Sequence, residues 1–150
     1  RPYLWRFWTK LQPEEKISIF DRTWYGRVLV ERIEGFAKPA EWQRAYDEIN
    51  RFEKDLTDNQ TVIIKFWLAI SKDEQEARFK AREETPHKRF KITEDDWRNR
   101  SHWDDYLNAA ADMFERTNTE YAPWHVIATD DKNTARLEVL RAILKQLKVE

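Results

Sequence analysis

An acidic residue next to an arginine, Asp21 with Arg22, is the clearest candidate for metal and phosphate chemistry in this sequence. The pair directly follows a short β-branched and aromatic run at residues 16–20, which predicts a buried strand that ends at an acid. A carboxylate in that position can hold Mg²⁺ directly or through water, and the arginine beside it can neutralise phosphate. The pattern is a weak signal alone, because the Asp side chain could instead cap the turn that follows.

A basic segment at residues 78–91 is the second chemical feature, with six Lys or Arg residues against two acids. Arg78 and Arg82 are four residues apart and share one face of a predicted helix. Lys88, Arg89 and Lys91 follow. Forked arginine donors and mobile lysine charges together can clamp several phosphates. A solvated charged helix with i,i+4 ion pairs would have the same composition. The position between two apolar strands favours a phosphate-binding lid that closes and excludes water.

Other residues that could do chemistry favour simpler roles. His87, His102 and His125 are dispersed without metal-ligand spacing, which indicates surface or packing positions. Most tryptophans fall on predicted apolar faces and fit a core. Trp24 and Tyr25 directly follow Asp21 and Arg22, and they are candidates for the wall of a site.

The elements that must position these residues alternate between strands and helices. Near-continuous or short apolar runs predict strands at residues 16–20, 61–70 and 124–128. Start signals and apolar stripes predict helices from about Arg27 to Glu34, from Pro39, from Ser71 to about Glu84, from Thr93, from Ser101 and at the C-terminus. This alternation predicts an α/β fold with a parallel sheet, and it places Asp21 at the carboxyl edge, where ligands bind in such sheets.

Composition limits the function classes. The 150 residues suit one domain, and the absence of Cys excludes disulfides and predicts a reducing compartment, with the cytoplasm as the expectation. No apolar run approaches the length of a membrane span, and the net charge of −1 gives no general reason to expect nucleic acid or a membrane as partner.

Five stretches in chain order resemble the type-2 polyphosphate kinase family, closest to its polyphosphate:AMP phosphotransferase branch. They are IFDRTWYGRVLVER (19–32), KFWL with SK (65–72), RFKAR (78–82), PHKRFK (86–91) and YAPW (121–124). The resemblance spans nearly the whole chain and is specific, because several long motifs agree.

The resemblance implies a P-loop kinase-like parallel sheet flanked by helices, with residues 1–150 forming part of a kinase domain and a helical lid at about 71–100. It implies Mg²⁺-dependent transfer between inorganic polyphosphate and AMP, ADP or ATP, in a homo-oligomer. Asp21 and Arg22 match the family's second acidic motif, for metal and phosphate. The remaining site residues implied are Arg27, Arg78, Arg82, Lys88 and Arg89 for phosphate, with Asp131 and Lys132 near the nucleotide.

One departure from the family pattern is the missing Gly-rich loop. The sequence has only Gly26 and Gly35 and no GxxxxGK pattern, so the segment that carries that loop is expected to precede this chain. These residues alone are therefore expected to be inactive. Two alternatives stay open, which are an ATP-dependent nucleotide kinase and a non-catalytic polyanion-binding or oligomerisation module. Transfer from polyphosphate, activity with ATP alone, or salt-sensitive binding without turnover would distinguish the three.

Overall fold

The computed structural model describes residues 1–12 and 16–148, which form two compact units. The first unit comprises residues 1–61 and 104–121, and the second comprises residues 62–103 and 122 onward. The helices and strands, in chain order, are α1 (Trp5–Trp8), a 3₁₀ helix (Trp24–Val28), α2 (Val30–Ile33), α3 (Pro39–Asp58), β1 (Lys65–Ala69), α4 (Lys72–Glu84), a second 3₁₀ helix (Pro86–Lys91), α5 (Glu94–Ser101), α6 (Trp103–Thr117), β2 (Trp124–Ala128) and α7 (Lys132–Leu147).

The long helix α3 supplies much of the core of the first unit. Pro39 occupies its first turn, where the missing N–H costs no helical hydrogen bond. The Glu41 side chain accepts a hydrogen bond from the Lys38 backbone N–H at 2.7 Å. The apolar stripe predicted at Trp42, Ala45, Ile49, Phe52 and Leu56 is confirmed, since the last four are buried and Trp42 is partly buried. The stripe also contains one charged residue, Glu53, which is fully buried.

Aromatic side chains from separate segments pack against this helix. The Trp24 ring lies 5.0 Å from the Phe52 ring, 5.7 Å from the Phe7 ring and 5.4 Å from the Phe20 ring, each measured between centroids. Edge-to-face arrangements of this kind add to the stabilisation from burial. The helix predicted at Arg27–Glu34 is instead the 3₁₀ helix Trp24–Val28 followed by α2, and the chain then turns through Gly35 at φ +72°.

The second unit contains a two-stranded parallel sheet. β1 pairs with β2 in the register Lys65↔Trp124 to Ala69↔Ala128, and the Thr129 N–H extends the ladder to the Ala69 carbonyl oxygen at 2.7 Å. The prediction of parallel strands is confirmed here, and the bounds of β2 agree with those predicted. β1 is shorter than the predicted run at 61–70.

The strand predicted at residues 16–20 is wrong for this structure. These residues form no strand, and Ile17 and Ile19 are 80% and 90% exposed. β-branched residues favour extended backbone, but a strand also needs a neighbour to complete its ladder of hydrogen bonds. Neither described strand pairs with this segment. Asp21 therefore lies in a bend and does not end a strand.

Among the described residues, no helix is both long enough and apolar enough to cross a bilayer.

Candidate phosphate-binding site

A cavity of about 350 Å³ in the second unit is lined by five cationic side chains and no acidic one. Its lining, called the basic cavity below, consists of Arg78, Ala81, Arg82, Thr85, Lys88, Lys91 and Lys132. Like charges gathered in one concave surface create a positive potential that attracts anions. The cavity volume and donors suit an extended phosphate chain or the phosphates of a nucleotide.

Three elements position the cavity side chains. Arg78 and Arg82 lie one turn apart on α4, Lys88 and Lys91 lie on the 3₁₀ helix Pro86–Lys91, and Lys132 opens α7. The chain turns between the first two elements at Thr85, whose hydroxyl donates to the Ala81 carbonyl at 2.6 Å. The Thr85 carbonyl oxygen then accepts a hydrogen bond from the Lys88 backbone N–H at 2.8 Å.

Arg78 ties α4 to the segment after β2. Its Nη2 donates to the Thr129 and Asp130 carbonyl oxygens at 2.6 and 3.0 Å, and its Nε pairs with the Glu74 carboxylate at 2.8 Å. The Arg78 side chain is only 19% exposed. Arg78 therefore holds the cavity wall in place as well as contributing charge to it.

The other four cations of the basic cavity differ from Arg78 in their charge partners. In the described part of the chain, Arg82, Lys88, Lys91 and Lys132 form no ion pair with a carboxylate. By contrast Lys80, which lies on α4 outside the cavity lining, pairs with Glu76 at 2.7 Å. The cavity thus collects cations whose charge remains available to an anion.

Two acidic residues after β2 anchor the starts of helices. Asp130 accepts a hydrogen bond from the Ser71 backbone N–H at 2.9 Å, and hydrogen bonds from the Ser71 backbone and side chain lower its carboxyl pKa. Asp131 caps α7 by accepting from the Thr134 N–H at 2.7 Å, and this bond lowers the pKa of Asp131. The carboxylate of Asp131 thus caps the helix in this structure. Its contact with a nucleotide stays a prediction.

Asp21 and Arg22 lie in the first unit, and both side chains are exposed. Arg22 adopts φ +60°, in the left-handed region that few residues other than glycine occupy. Mg²⁺ binds through one or two carboxylates together with substrate phosphates and water, so a single exposed carboxylate such as Asp21 fits it. Within residues 1–12 and 16–148 no group of three or more His, Cys, Asp or Glu side chains could hold a metal ion by itself.

Arg27, the second predicted cation of the first unit, is half-buried and paired with neighbouring side chains. Its guanidinium pairs with Glu31 at 3.1 Å and lies 4.0 Å from the centroid of the Tyr3 ring. Trp24 and Tyr25 are 6% and 3% exposed, so they belong to the core and do not form the wall of an open site. The side chain of Arg89 lies outside the described part of the structure.

The predicted cations Arg78, Arg82, Lys88 and Lys132 meet in the basic cavity together with Lys91 of the predicted basic segment, and sequence reasoning did not single out the polar Thr85. Lys91 belongs to the basic segment predicted to clamp phosphates, and its three-residue spacing from Lys88 places both on one face of a 3₁₀ helix. Thr85 was not predicted because the signal in the sequence was the run of charged residues, and Thr is uncharged. Outside the cavity, the sequence analysis also did not single out Glu53 of the first unit, although its spacing from Ile49 and Leu56 places it within the apolar stripe of α3.

Comparisons with known proteins agree on one family. The family described as Polyphosphate kinase 2 matches residues 1–150. The chain is 76% identical, over its full length, to a polyphosphate:AMP phosphotransferase of Acinetobacter johnsonii, of which it covers 31%. It is 36% identical to an ADP-polyphosphate phosphotransferase 2 of Rhizobium meliloti, covering 99% of this chain and 48% of that protein. The crystal structure of a Polyphosphate Kinase 2 from Arthrobacter aurescens superposes with a TM-score of 0.94 at 41% identity, covering 99% of this chain and 52% of that one.

Proposed function

The chain belongs to the polyphosphate kinase 2 family, and from that premise we propose that the protein containing it transfers phosphoryl groups between inorganic polyphosphate and AMP or ADP. The chain spans about a third to a half of the length of these relatives, so the activity is proposed for the full-length protein. The proposal includes a P-loop kinase-like fold and a requirement for Mg²⁺.

The observation that carries this proposal is the basic cavity. Its five cations surround a volume of about 350 Å³ without a carboxylate among the lining residues. Polyphosphate and nucleotide phosphates are polyanions, so the positive potential of the cavity attracts them, and its cations can form strong charge-assisted hydrogen bonds with their oxygens. The relative with 76% identity is named for transfer between polyphosphate and AMP, which matches this chemistry.

The roles of individual residues follow from the physics of phosphoryl transfer. Little covalent chemistry falls to the protein in such reactions, so catalysis consists of positioning and of stabilising charge on the transferred group. Arg82, Lys88, Lys91 and Lys132 would bind phosphate oxygens, and Arg78 would hold the wall that carries them. Asp21 would supply a carboxylate ligand to Mg²⁺, and the Arg22 guanidinium would donate hydrogen bonds to phosphate oxygens. Bound Mg²⁺ would neutralise charge on the phosphates during transfer.

A donor competition on the full-length protein tests the proposal. We expect ADP to form from AMP when long-chain polyphosphate is the only donor, and we expect chelation of Mg²⁺ to stop its formation. Activity with ATP alone would indicate an ordinary nucleotide kinase. Binding of polyphosphate that weakens as salt rises, as expected when salt screens charge–charge attraction, would indicate a binding module if no turnover accompanied it.

A further inference from the structure

A buried carboxylate in the first unit receives hydrogen bonds from two residues of the motif that follows Asp21. Glu53 of α3 is fully buried. Trp24 Nε1 donates to its Oε1 at 3.0 Å, and the Tyr25 hydroxyl donates to the same oxygen at 2.7 Å. Both donors open the 3₁₀ helix Trp24–Val28. No role proposed above uses Glu53.

An acid at this position is unexpected on packing grounds. Its neighbours in the stripe of α3, Ile49, Phe52 and Leu56, are apolar, and burying a charge is costly unless hydrogen bonds compensate it. A carboxylate, however, is a stronger acceptor than a neutral group and can serve two donors at once. Burial, together with the nearby charge of Glu53, raises the pKa of Tyr25, so the hydroxyl remains a donor at physiological pH.

The backbone next to these anchored side chains is strained. Arg22 lies only two residues before Trp24 and adopts φ +60°. Such a conformation persists in a residue with a side chain only where the surrounding structure enforces it. Thr23 Oγ1 accepts a hydrogen bond from the Tyr25 N–H at 3.2 Å, and the Tyr3 hydroxyl donates to the Trp24 carbonyl at 3.1 Å. The segment after Arg22 is therefore fixed through backbone and side chains together.

We propose that Glu53 is a positioning residue for Asp21 and Arg22. By fixing Trp24 and Tyr25 in the core, Glu53 holds the strained turn at Arg22 and so orients the exposed carboxylate and guanidinium before substrate arrives. Glu53 itself touches no substrate. Orientation of this kind matters because small displacements of a charged group reduce transition-state stabilisation strongly. The role in turnover rests on the proposed function, whereas the effect on the turn does not.

The test compares Glu53→Gln with a matched control, Glu48→Gln, in the full-length protein. Glu48 lies on the same helix but is partly exposed and pairs with Arg44. Hydrogen exchange of the backbone amides at residues 22–25 is measured together with kcat and KM. For Glu53→Gln we expect exchange at these amides to quicken about tenfold or more and kcat to fall about tenfold, because a neutral acceptor holds the two donors less firmly. We expect KM for polyphosphate to stay within about twofold, because the basic cavity is unaltered. Glu48→Gln should resemble the wild type.

A double-mutant cycle with Tyr25→Phe separates positioning from general stability. Tyr25→Phe removes only the hydroxyl, so if Glu53 acts through Tyr25 the two effects on kcat should be less than additive. If Glu53→Gln fails to fold, Tyr25→Phe alone must show the faster exchange and the lower kcat. A folded Glu53→Gln variant with wild-type exchange and kcat would overturn the proposal, as would additive effects in the cycle. If the wild type transfers nothing from polyphosphate, the proposed function fails, and the exchange measurement alone decides whether Glu53 holds the turn.

Discussion

The cations of the basic cavity differ, residue by residue, in what else they bind. Arg78 donates hydrogen bonds to two backbone carbonyls and pairs with Glu74. Replacing Arg78 would therefore disturb the cavity wall as well as remove charge. Arg82 lies one turn further along α4 and forms no ion pair within the described residues. Arg82 is therefore the better probe of phosphate binding, because its loss should leave the surrounding hydrogen bonds in place.

For Arg82→Ala in the full-length protein we expect kcat/KM for polyphosphate to fall about tenfold to a hundredfold, since hydrogen bonds to charged groups contribute about 1.5–3 kcal/mol. The control is Lys80→Ala, which removes a cation from the same helix outside the cavity. The melting temperature of each variant is measured beside the transfer rate. Equal losses of activity in the two variants would point to the overall charge of α4 and would contradict a specific site at Arg82.

The basic segment and its helix could be predicted from single residues, but the partners of those residues could not. The i,i+4 spacing placed Arg78 and Arg82 on one helical face, as the structure has them. Nothing in the local sequence indicates that Arg78 reaches carbonyls about fifty positions away, because that contact depends on where the fold places α4 relative to the segment after β2. The same applies to Glu53, whose two donors lie nearly thirty residues earlier in the chain.

At the scale of elements, two helices that carry cavity residues are fixed at their N-termini by side-chain caps. Ser71 caps α4 by accepting a hydrogen bond from the Glu74 N–H at 3.2 Å, and Asp131 caps α7 at Thr134. Asp130 joins these two regions by accepting from the Ser71 backbone. The cap at Ser71 was visible in the sequence as a start signal, whereas the Asp130–Ser71 contact required the parallel pairing of β1 with β2.

The Asp131 cap predicts how the free energy of unfolding depends on pH. The folded-state pKa of Asp131 is lowered, so its contribution is present above the unfolded pKa of about 3.9 and is lost as pH falls through the folded value. Asn also caps helices well but does not titrate. We therefore expect Asp131→Asn to lose less stability than the wild type between pH 5 and about pH 2, as measured by urea midpoints at both limits. Parallel pH profiles for the two proteins would contradict this role of the Asp131 carboxylate.

The elements that sequence reasoning predicted well are those whose signals are local. The apolar stripe of α3 and the start signals at Ser71 and Thr93 depend on residues three or four positions apart, and the structure has helices at those places. The start predicted at Ser101 is wrong, because Ser101 is the last residue of α5 and α6 begins at Trp103. The strand expected at residues 16–20 depended on a distant partner, and the exposed Ile17 and Ile19 show that composition alone does not form a ladder. Because that strand does not form, the prediction that Asp21 lies at the carboxyl edge of a sheet is also wrong.

At the scale of the whole molecule, the chain carries two groups of residues proposed for phosphoryl transfer. The exposed pair Asp21 and Arg22 belongs to the first unit, and the basic cavity belongs to the second. The 150 residues contain no GxxxxGK pattern, which in P-loop enzymes supplies backbone N–H donors and a lysine to the transferring phosphates. The relative with 76% identity is about three times as long as this chain.

We therefore expect the 150 residues alone to produce no ADP from polyphosphate and AMP, while the full-length protein is active and loses activity on Asp21→Asn. Asn preserves the size of the side chain but removes the charge that would bind Mg²⁺, and because Asp21 is exposed the variant should keep its melting temperature. A loss of about a hundredfold or more is expected, as for removal of other groups that stabilise transition-state charge. The assay follows ADP formation with and without Mg²⁺ in the short chain, the full-length protein and the variant. Turnover by the short chain would show that it already holds every group that stabilises the transferring phosphate, and near-normal turnover by the Asn variant would place the metal ligand at a residue other than Asp21.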